Sequence, residues 1–418
     1  MPSVSSPVSS PSSSAARSRR TIWLLVAAST FCYLTLGCYV AVLPGYVLHH
    51  LDLSSAALGV AMGATGVVAV CLRPMGGSWG DRYGRRPLAF VGALVLGAGA
   101  AALVGPGLLV LVIFARLLTG AGDALFTTAV MAWGADAAEP ERRGRAMATI
   151  GMSLWLGLAL GPQWAVWMRD NLGYDGVWLG ATAFSLLAAL LVALVEPRAP
   201  SAEEKEEGPH AKVPRGAVLP AVAMVLICYG NAVFEAFGIV HLTARGVSGG
   251  AGIGGAASVF TVVAVVTFLG RFAGGVLSDR LSPRPVALVG VVLVGAAYCF
   301  FAAASSFAVA AAGGALLGLG LALVYPSLSL LVTRAVPPGE RGAGLGVFLA
   351  ALDVTFAIGP PLGSAVVGAA STGAALWSSG AVCLLALPVV IAAGNPGVGE
   401  DSEEGFELAE ELPPNAAV

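Results

Sequence analysis

The chain has 418 residues, of which 57% are hydrophobic and only 11% charged, and its mean hydropathy is +0.84. Soluble domains carry about 25% charged residues, so this composition excludes a soluble globular protein and points to one that lives in lipid. The formal net charge of −2 conceals an asymmetry, because an acidic C-terminal stretch offsets basic loops.

Twelve apolar runs are long enough to cross a bilayer, a crossing that takes about 20 residues. They are predicted near 21–43, 55–79, 88–104, 108–134, 146–167, 177–195, 216–241, 253–277, 286–304, 307–335, 343–368 and 374–393. The 56 glycines suit close helix packing in lipid. All six cysteines fall inside apolar runs without a C-x-x-C pair, which reads as small packing residues rather than disulfides or metal ligands.

Residues 1–20 are rich in Ser and Pro and end in Arg17, Arg19 and Arg20, the composition of a flexible tail. The apolar run that follows exceeds the 7–15 residues of a signal peptide's apolar region, so it is expected to remain as the first span. With the N-terminus inside, 17 of the 22 Lys and Arg fall on inner segments. The outer loops hold only Arg169 and Arg245, and Arg73, Arg116 and Arg271 lie within spans. That split predicts both termini in the cytoplasm of a cell (plasma) membrane protein.

One stretch occurs twice. Arg73 to Pro87 reads RPMGGSWGDRYGRRP and Arg271 to Pro285 reads RFAGGVLSDRLSPRP, offset by 198 (271 − 73 = 198) without a gap. The same offset relates Gly120 and Gly122 to Gly318 and Gly320, Arg143-Gly144 to Arg341-Gly342, and Gly161-Pro162 to Gly359-Pro360. A shared offset at so many positions implies two equivalent halves. Each copy is a tight charged turn between two spans.

The run Gly77-Ser-Trp-Gly-Asp81-Arg82-Tyr-Gly84-Arg85-Arg86 resembles the signature loop of the major facilitator superfamily, G-x-x-x-D-R-x-G-R-R, between its second and third helices. The second copy keeps Asp279-Arg280 but has Ser282-Pro283 where the first has Gly84-Arg85. The resemblance covers roughly residues 21–393 and implies an all-α membrane protein of twelve helices in two six-helix halves, working by alternating access. It also implies a cytoplasmic gate in which Asp81 meets the start of the eleventh span near Gly342–Gly346, and Asp279 meets the start of the fifth near Gly144. A carboxylate at a helix N-terminus is favoured by the macrodipole.

In the fourth span, Arg116-Leu-Leu-Thr-Gly120-Ala-Gly122-Asp123 resembles the R-x-x-x-G-x-G pattern of drug/proton antiporters in that superfamily. Asp123 stands where that pattern has a small residue, and Thr119 replaces a common glutamine. Arg116 and Asp123 are seven apart and share a helix face. A charge at mid-span costs about 2.5–3.5 kcal/mol on insertion scales, so both are expected to face the interior, each other or a partner helix. Arg116 would help a neighbouring carboxyl release its proton. A fixed ion pair is the alternative.

The fifth span carries Gly157-Leu-Ala-Leu-Gly161-Pro162, similar to the antiporter motif g-x-x-x-G-P-x-x-G except for Ala165 at the last glycine. The matching Gly359-Pro360 in the other half makes a simple scaffold bend an equal reading. Residues 196–215, EPRAPSAEEKEEGPHAKVPR, break the apolar pattern and read as a cytoplasmic linker. The expected organisation is thus a tail at 1–20, a half at 21–195, the linker, a half at 216–393 and an acidic tail at 394–418.

Two further acids stand alone within spans: Glu235 in the seventh and Asp353 in the eleventh. Low dielectric favours their neutral form, so either can carry a proton. An Asp before Gly-Pro also recurs in arabinose-efflux-like permeases of the superfamily, which leaves Asp353 a packing role as well. The proton-coupling candidates are therefore Asp123, Arg116, Glu235 and Asp353, and the gate candidates are Gly77, Asp81, Arg82, Gly84, Arg85, Arg86, Asp279 and Arg280. Tyr33, Tyr39, Trp155, Asn231, Phe234 and Tyr325 are the candidates for a substrate cavity.

No Walker-type nucleotide loop, metal-ligand cluster, catalytic triad or nucleic-acid patch is present in the sequence. The expectation is a non-enzymatic, cofactor-free monomer, a secondary transporter that exports a small, mainly hydrophobic organic molecule in exchange for protons. A proton-coupled importer of a sugar or other solute is the first alternative, although only Gln163 and Asn231 supply amides within spans. A transporter-like membrane receptor without turnover is the second.

Overall fold

The computed structural model describes residues 11–139, 142–196, 213–280 and 282–393, leaving aside the side chains of 11–16, 272–280 and 338. Its α-helices are α1 (Pro11–Gly45), α2 (Ser55–Tyr83), α3 (Arg85–Ala101), α4 (Leu109–Ala137), α5 (Arg143–Ala193), α6 (Arg215–Ala244), α7 (Ser258–Arg280), α8 (Pro283–Ala303), α9 (Phe307–Ala335), α10 (Arg341–Ala369), α11 (Thr372–Leu384) and α12 (Ala386–Ala393). Nine helical segments among the described residues are long and apolar enough to cross a membrane.

The apolar runs map onto these helices with three adjustments. The fifth and sixth runs lie on α5, which is 51 residues long and turns at Gly173, where φ is 72°. Only glycine adopts that conformation without steric cost, so one residue replaces the expected loop. The last run is divided between α11 and α12, where Pro388 has no N–H to give the carbonyl of Leu384. The third adjustment is at the start. The expected flexible tail ends at residue 20, but α1 already begins at Pro11. Residues 12–20 contain no Gly or Pro, and Pro11 sits at a helix start, where its missing N–H costs nothing. Ser18 Oγ donates to the Ala137 carbonyl, which ties this extension to α4.

Between α2 and α3 the charged turn is a single residue, Gly84, with φ 94°. Glycine is required there for the chain to reverse within one residue. Residues 197–212 and 394–418, which hold most of the linker and the acidic tail, lie outside the described residues, as do the side chains of Asp279 and Arg280.

The 198-residue offset reappears in the packing. A Cβ built on Gly120 would lie 2.3 Å from the carbonyl oxygen of Thr65, and one on Gly318 would lie 2.7 Å from that of Val263. Likewise Gly122 closes on Leu96 and Gly92, while Gly320 closes on Val294 and Gly290. Every member of the second set is the first plus 198. The glycines thus let α4 lie against α2 and α3 backbone to backbone, and α9 against α7 and α8 in the same way, as lipid-embedded helices require. The two halves are structural repeats.

The halves meet mainly at one end, opposite the terminal end where the described helices begin at Pro11 and finish at Ala393. There α2 lies on α10, with Gly59 against Ser364, Gly63 against Pro361 and Gly66 against Ala357. Beside them α5 meets α7 and the loop before it. Gln163 Nε2 donates to Ser258 Oγ at 3.1 Å, Thr261 Oγ1 to the Ala159 carbonyl at 2.6 Å, and Arg169 Nη2 to the Gly249 carbonyl at 2.8 Å. Toward the terminal end, positions Gly77, Gly342 and Gly346 have no neighbour within 4 Å of a built Cβ.

Gly66 tests this arrangement, because its Cβ would lie 2.2 Å from the Ala357 nitrogen and 2.7 Å from the Asp353 carbonyl oxygen. Gly66→Val is expected to wedge the far end open at a cost of about 1–3 kcal/mol to the closed arrangement. The measurement is chemical cross-linking between Ser55→Cys and Gly368→Cys in membranes, and its yield should fall about tenfold, since 1.4 kcal/mol is a factor of ten. An unchanged yield would contradict the packing.

Candidate functional site

The site is organised by Arg73, which sits in α2 immediately before Pro74. Arg73 Nε donates to Asp353 Oδ2 at 2.7 Å and Nη2 donates to Asp353 Oδ1 at 2.9 Å. This is the two-pronged guanidinium–carboxylate geometry, which is both strong and orienting. The pair joins α2 of one half to α10 of the other. Arg73 Nη2 also lies 3.5 Å from Asp123 Oδ2 on α4. Thr127 Oγ1 donates to the other Asp123 oxygen at 3.0 Å, and Tyr33 Oη lies 3.5 Å from Thr127 Oγ1. A continuous polar string therefore runs from α1 through α4 and α2 to α10. One guanidinium is shared by two carboxylates that belong to different halves.

This geometry selects the partner helix for Asp123 from the expected alternatives and corrects the expectation for Asp353. Asp123 does not pair with Arg116, and Asp353 is not isolated. Arg116 is buried, its guanidinium lies 5.1 Å over the Tyr39 ring, and its Nε has no hydrogen-bond partner. The side chains of two residues seven apart on a straight helix also rise about 10 Å apart along its axis. Arg73, from the neighbouring helix, reaches Asp123 instead. Glu235 is half-buried and accepts from Asn231 Nδ2 at 2.9 Å, one helical turn away, so it too has a partner.

The aromatic candidates separate into three groups. Tyr33 belongs to the polar string. Tyr39 and Phe234 are core residues rather than cavity residues: Tyr39 packs on Trp178 with ring centroids 5.5 Å apart, and Phe234 stacks on Phe301 at 4.0 Å inside its own half. Trp155 and Tyr325 converge on Arg271, whose guanidinium carbon lies 5.4 Å and 5.5 Å from their ring centroids.

At the terminal end, Asp81 does not meet α10. It pairs with Arg85 at 2.6 Å, one turn on, and its side chain is 66% exposed. Arg85 Nε also donates to Asp136 Oδ2 at 3.3 Å on α4. Arg86 donates to the Ala193 carbonyl, and Arg82 lies over the Tyr83 ring at 5.3 Å. The expected contact is missing because the start of α10 stands away from α2 at this end. The matching contact of Asp279 lies outside the described residues. No group of three or more potential metal ligands occurs among the described residues.

The sequence reading missed Arg73 and Arg271 as functional residues, although both were visible as the first residues of the two motif copies. A charged residue within a span is costly enough to require a role. Placing one at the same point in each half made these two arginines the natural candidates.

A model of the Major Facilitator Superfamily matches residues 25–256 and 245–412. The chain is 27% identical over 359 residues to an MFS-type transporter of Salmonella typhimurium, covering 82% of this chain and 88% of that one. Its fold is similar to that of a peptide transporter POT solved in complex with sulfate, with a TM-score of 0.75 and 14% identity, covering 91% of this chain and 95% of the other. It is also similar to the nucleoside transporter NupG, with a TM-score of 0.71 and 12% identity, covering 89% of this chain and 98% of the other. With twelve apolar runs on its helices, a repeated half and a partly buried charged string between the halves, this chain belongs to the major facilitator superfamily and is a multi-pass membrane transporter.

Proposed function

We propose that the protein exports a small, mainly hydrophobic organic molecule in exchange for protons, by alternating access. The observation that carries this reading is the shared guanidinium of Arg73. An ionised Asp353 holds the far end closed through Arg73, because their two hydrogen bonds cross from one half to the other. A proton on Asp353 removes its charge and leaves Arg73 to Asp123. The tie between the halves is then released without stranding the arginine. Proton release and closure of the far end become the same event, and substrate and proton take turns.

The terminal end is read as cytoplasmic, since the inner segments expected from the sequence hold 17 of 22 basic residues and the described ones among them lie at that side. The arrangement described is then the one open to the cytoplasm, from which an exporter collects its cargo. Asp81 and its partners belong to a gate that engages when that end closes and Asp81 reaches the start of α10. The protein acts in the plasma membrane as a monomer, without cofactor or catalysis.

The test is transport in inverted vesicles of the full chain, with and without an imposed pH gradient, across a panel of small organic molecules. Asp353→Asn, Asp123→Asn and Glu235→Gln are each compared with wild type. Replacing the coupling acid by its amide is expected to abolish gradient-driven accumulation yet spare exchange of substrate for substrate, which needs no net proton movement. If all three variants still concentrate substrate in response to the gradient, coupling through these carboxyls is wrong. Gradient-driven movement in the opposite direction would make the protein an importer.

A further inference from the structure

The pseudo-symmetry places a second arginine at the point equivalent to Arg73, and its surroundings differ. Adding 198 to Arg73 gives Arg271, and subtracting 198 from Asp353 gives Trp155. Thr127, which holds Asp123, corresponds to Tyr325, and Asp123 itself corresponds to Leu321. Where Arg73 meets two carboxylates, Arg271 meets two aromatic rings. The fold has built the same crossing between the halves twice, α2 with α10 and α7 with α5. Among the described residues it has supplied carboxylates at only one of them.

The consequence is an unsatisfied cation. Arg271 makes no ion pair with a described carboxylate, and its contacts are the rings of Trp155 and Tyr325. Its Nε is buried without a hydrogen-bond partner, and so is the indole Nε1 of Trp155. Two orphaned donors, one from each half, thus converge on one place. A buried donor left unpaired is costly, and more so when it is charged. Cation–π contact recovers only part of this. Both Arg271 and Trp155 are only half-buried while the two donor nitrogens themselves are covered, so a ligand reaches them by a local side-chain movement.

We propose that Arg271, Trp155 and Tyr325 form the site for an oxyanion group of the transported molecule. The cargo is then an amphipathic organic anion: a carboxylate, phosphate or sulfonate held by the guanidinium fork and the indole N–H, with a flat apolar body against the two rings. A guanidinium edge matches two oxygens of such a group. The cargo's charge would be met by residues of both halves, so its arrival also changes how the halves are held. This inference rests on the reading that the chain carries a small organic molecule, and it replaces a merely hydrophobic cargo by a charged one.

The experiment uses the full chain purified in detergent, with intrinsic tryptophan fluorescence and thermal unfolding as readouts. Benzoate, phenyl phosphate and benzenesulfonate are the oxyanion probes. Benzamide and benzylamine are the neutral and cationic controls, and inorganic sulfate tests for the charge alone. At least one aromatic oxyanion is expected to bind wild type with about tenfold or greater preference over benzamide and benzylamine. Arg271→Gln should remove that preference while leaving the response to benzamide as it was, and sulfate should compete weakly. Trp155→Phe keeps the ring and loses the N–H, and is expected to weaken the oxyanion about tenfold. If Arg271→Gln does not yield folded protein, Arg271→Lys and Trp155→Phe carry the test, each with the same expected weakening. Equal binding of benzoate and benzamide, full retention of oxyanion binding in these variants, or no oxyanion binding at concentrations on the order of 10 mM would overturn the assignment. These outcomes are independent of proton coupling, since binding in detergent involves no gradient. Gradient-driven export of neutral molecules alone would leave the transport reading standing and remove this one.

Discussion

Arg73→Gln is expected to abolish net transport and to destabilise the folded protein by about 3 kcal/mol. Removing one partner of a buried ion pair costs about 3–5 kcal/mol, because the other charge is left in low dielectric. The lower figure applies because 28% of the Arg73 side chain is exposed, against 11% for Asp353. The substitution strands Asp353, which loses both of its hydrogen bonds to Arg73, and leaves Asp123 with Thr127. The double variant Arg73→Gln/Asp353→Asn removes the stranded charge with its partner. It should recover about 1–3 kcal/mol relative to the sum of the single effects. Thermal unfolding of the four proteins in one detergent closes the cycle. Strictly additive losses would show that the pair is not coupled. Transport should remain absent in the double variant, since the proton-controlled tie is gone, and restored gradient-driven transport would remove Arg73 from the mechanism.

Asp81→Asn is expected to lower transport about tenfold while leaving expression and thermal stability close to wild type. Among the described residues Asp81 pairs with Arg85, and it is mostly exposed. An exposed pair of this kind contributes about 0–1 kcal/mol, and Arg85 keeps Asp136 as its partner. Loss of the Asp81 charge therefore barely disturbs this state. A large transport defect has to come from the other state, where the carboxylate would face the N-terminus of α10, an interaction worth up to about 2 kcal/mol. The pairing of a small stability change with a large rate change distinguishes a gate residue from a scaffold residue. Transport at the wild-type rate in well-inserted Asp81→Asn would reject the gating role. Arg85→Gln should lose stability as well, because Arg85 bonds both Asp81 and Asp136.

The fold class was legible in the chain because lipid imposes a simple code. Spans must be apolar and about 20 residues long, and basic residues mark one side. A duplicated half leaves a constant offset, which the glycine contacts at Gly120 and Gly318 repeat in three dimensions. Loop chemistry was readable where one residue decides it, as at Gly84. Helical continuity was harder to read: α1 begins ten residues before its predicted span (Pro11 against residue 21), and Gly173 turns α5 without a loop. Polar residues do not stop a helix, and one glycine can reverse it.

The partners of the charged residues could be decided only by the tertiary structure. Helical spacing offered Arg116 to Asp123, since both lie on α4 and share a face. The structure gives Asp123 to Arg73, fifty positions away, and gives Asp353 to the same arginine across 280 positions. Which charges meet between helices depends on crossing angle, depth and rotation, and none of these has a period in the sequence. The same holds for the contrast between the two arginines. Sequence repeats Arg73 as Arg271. Packing alone shows that one is neutralised by carboxylates and that the other is held between two rings with its donor unmet.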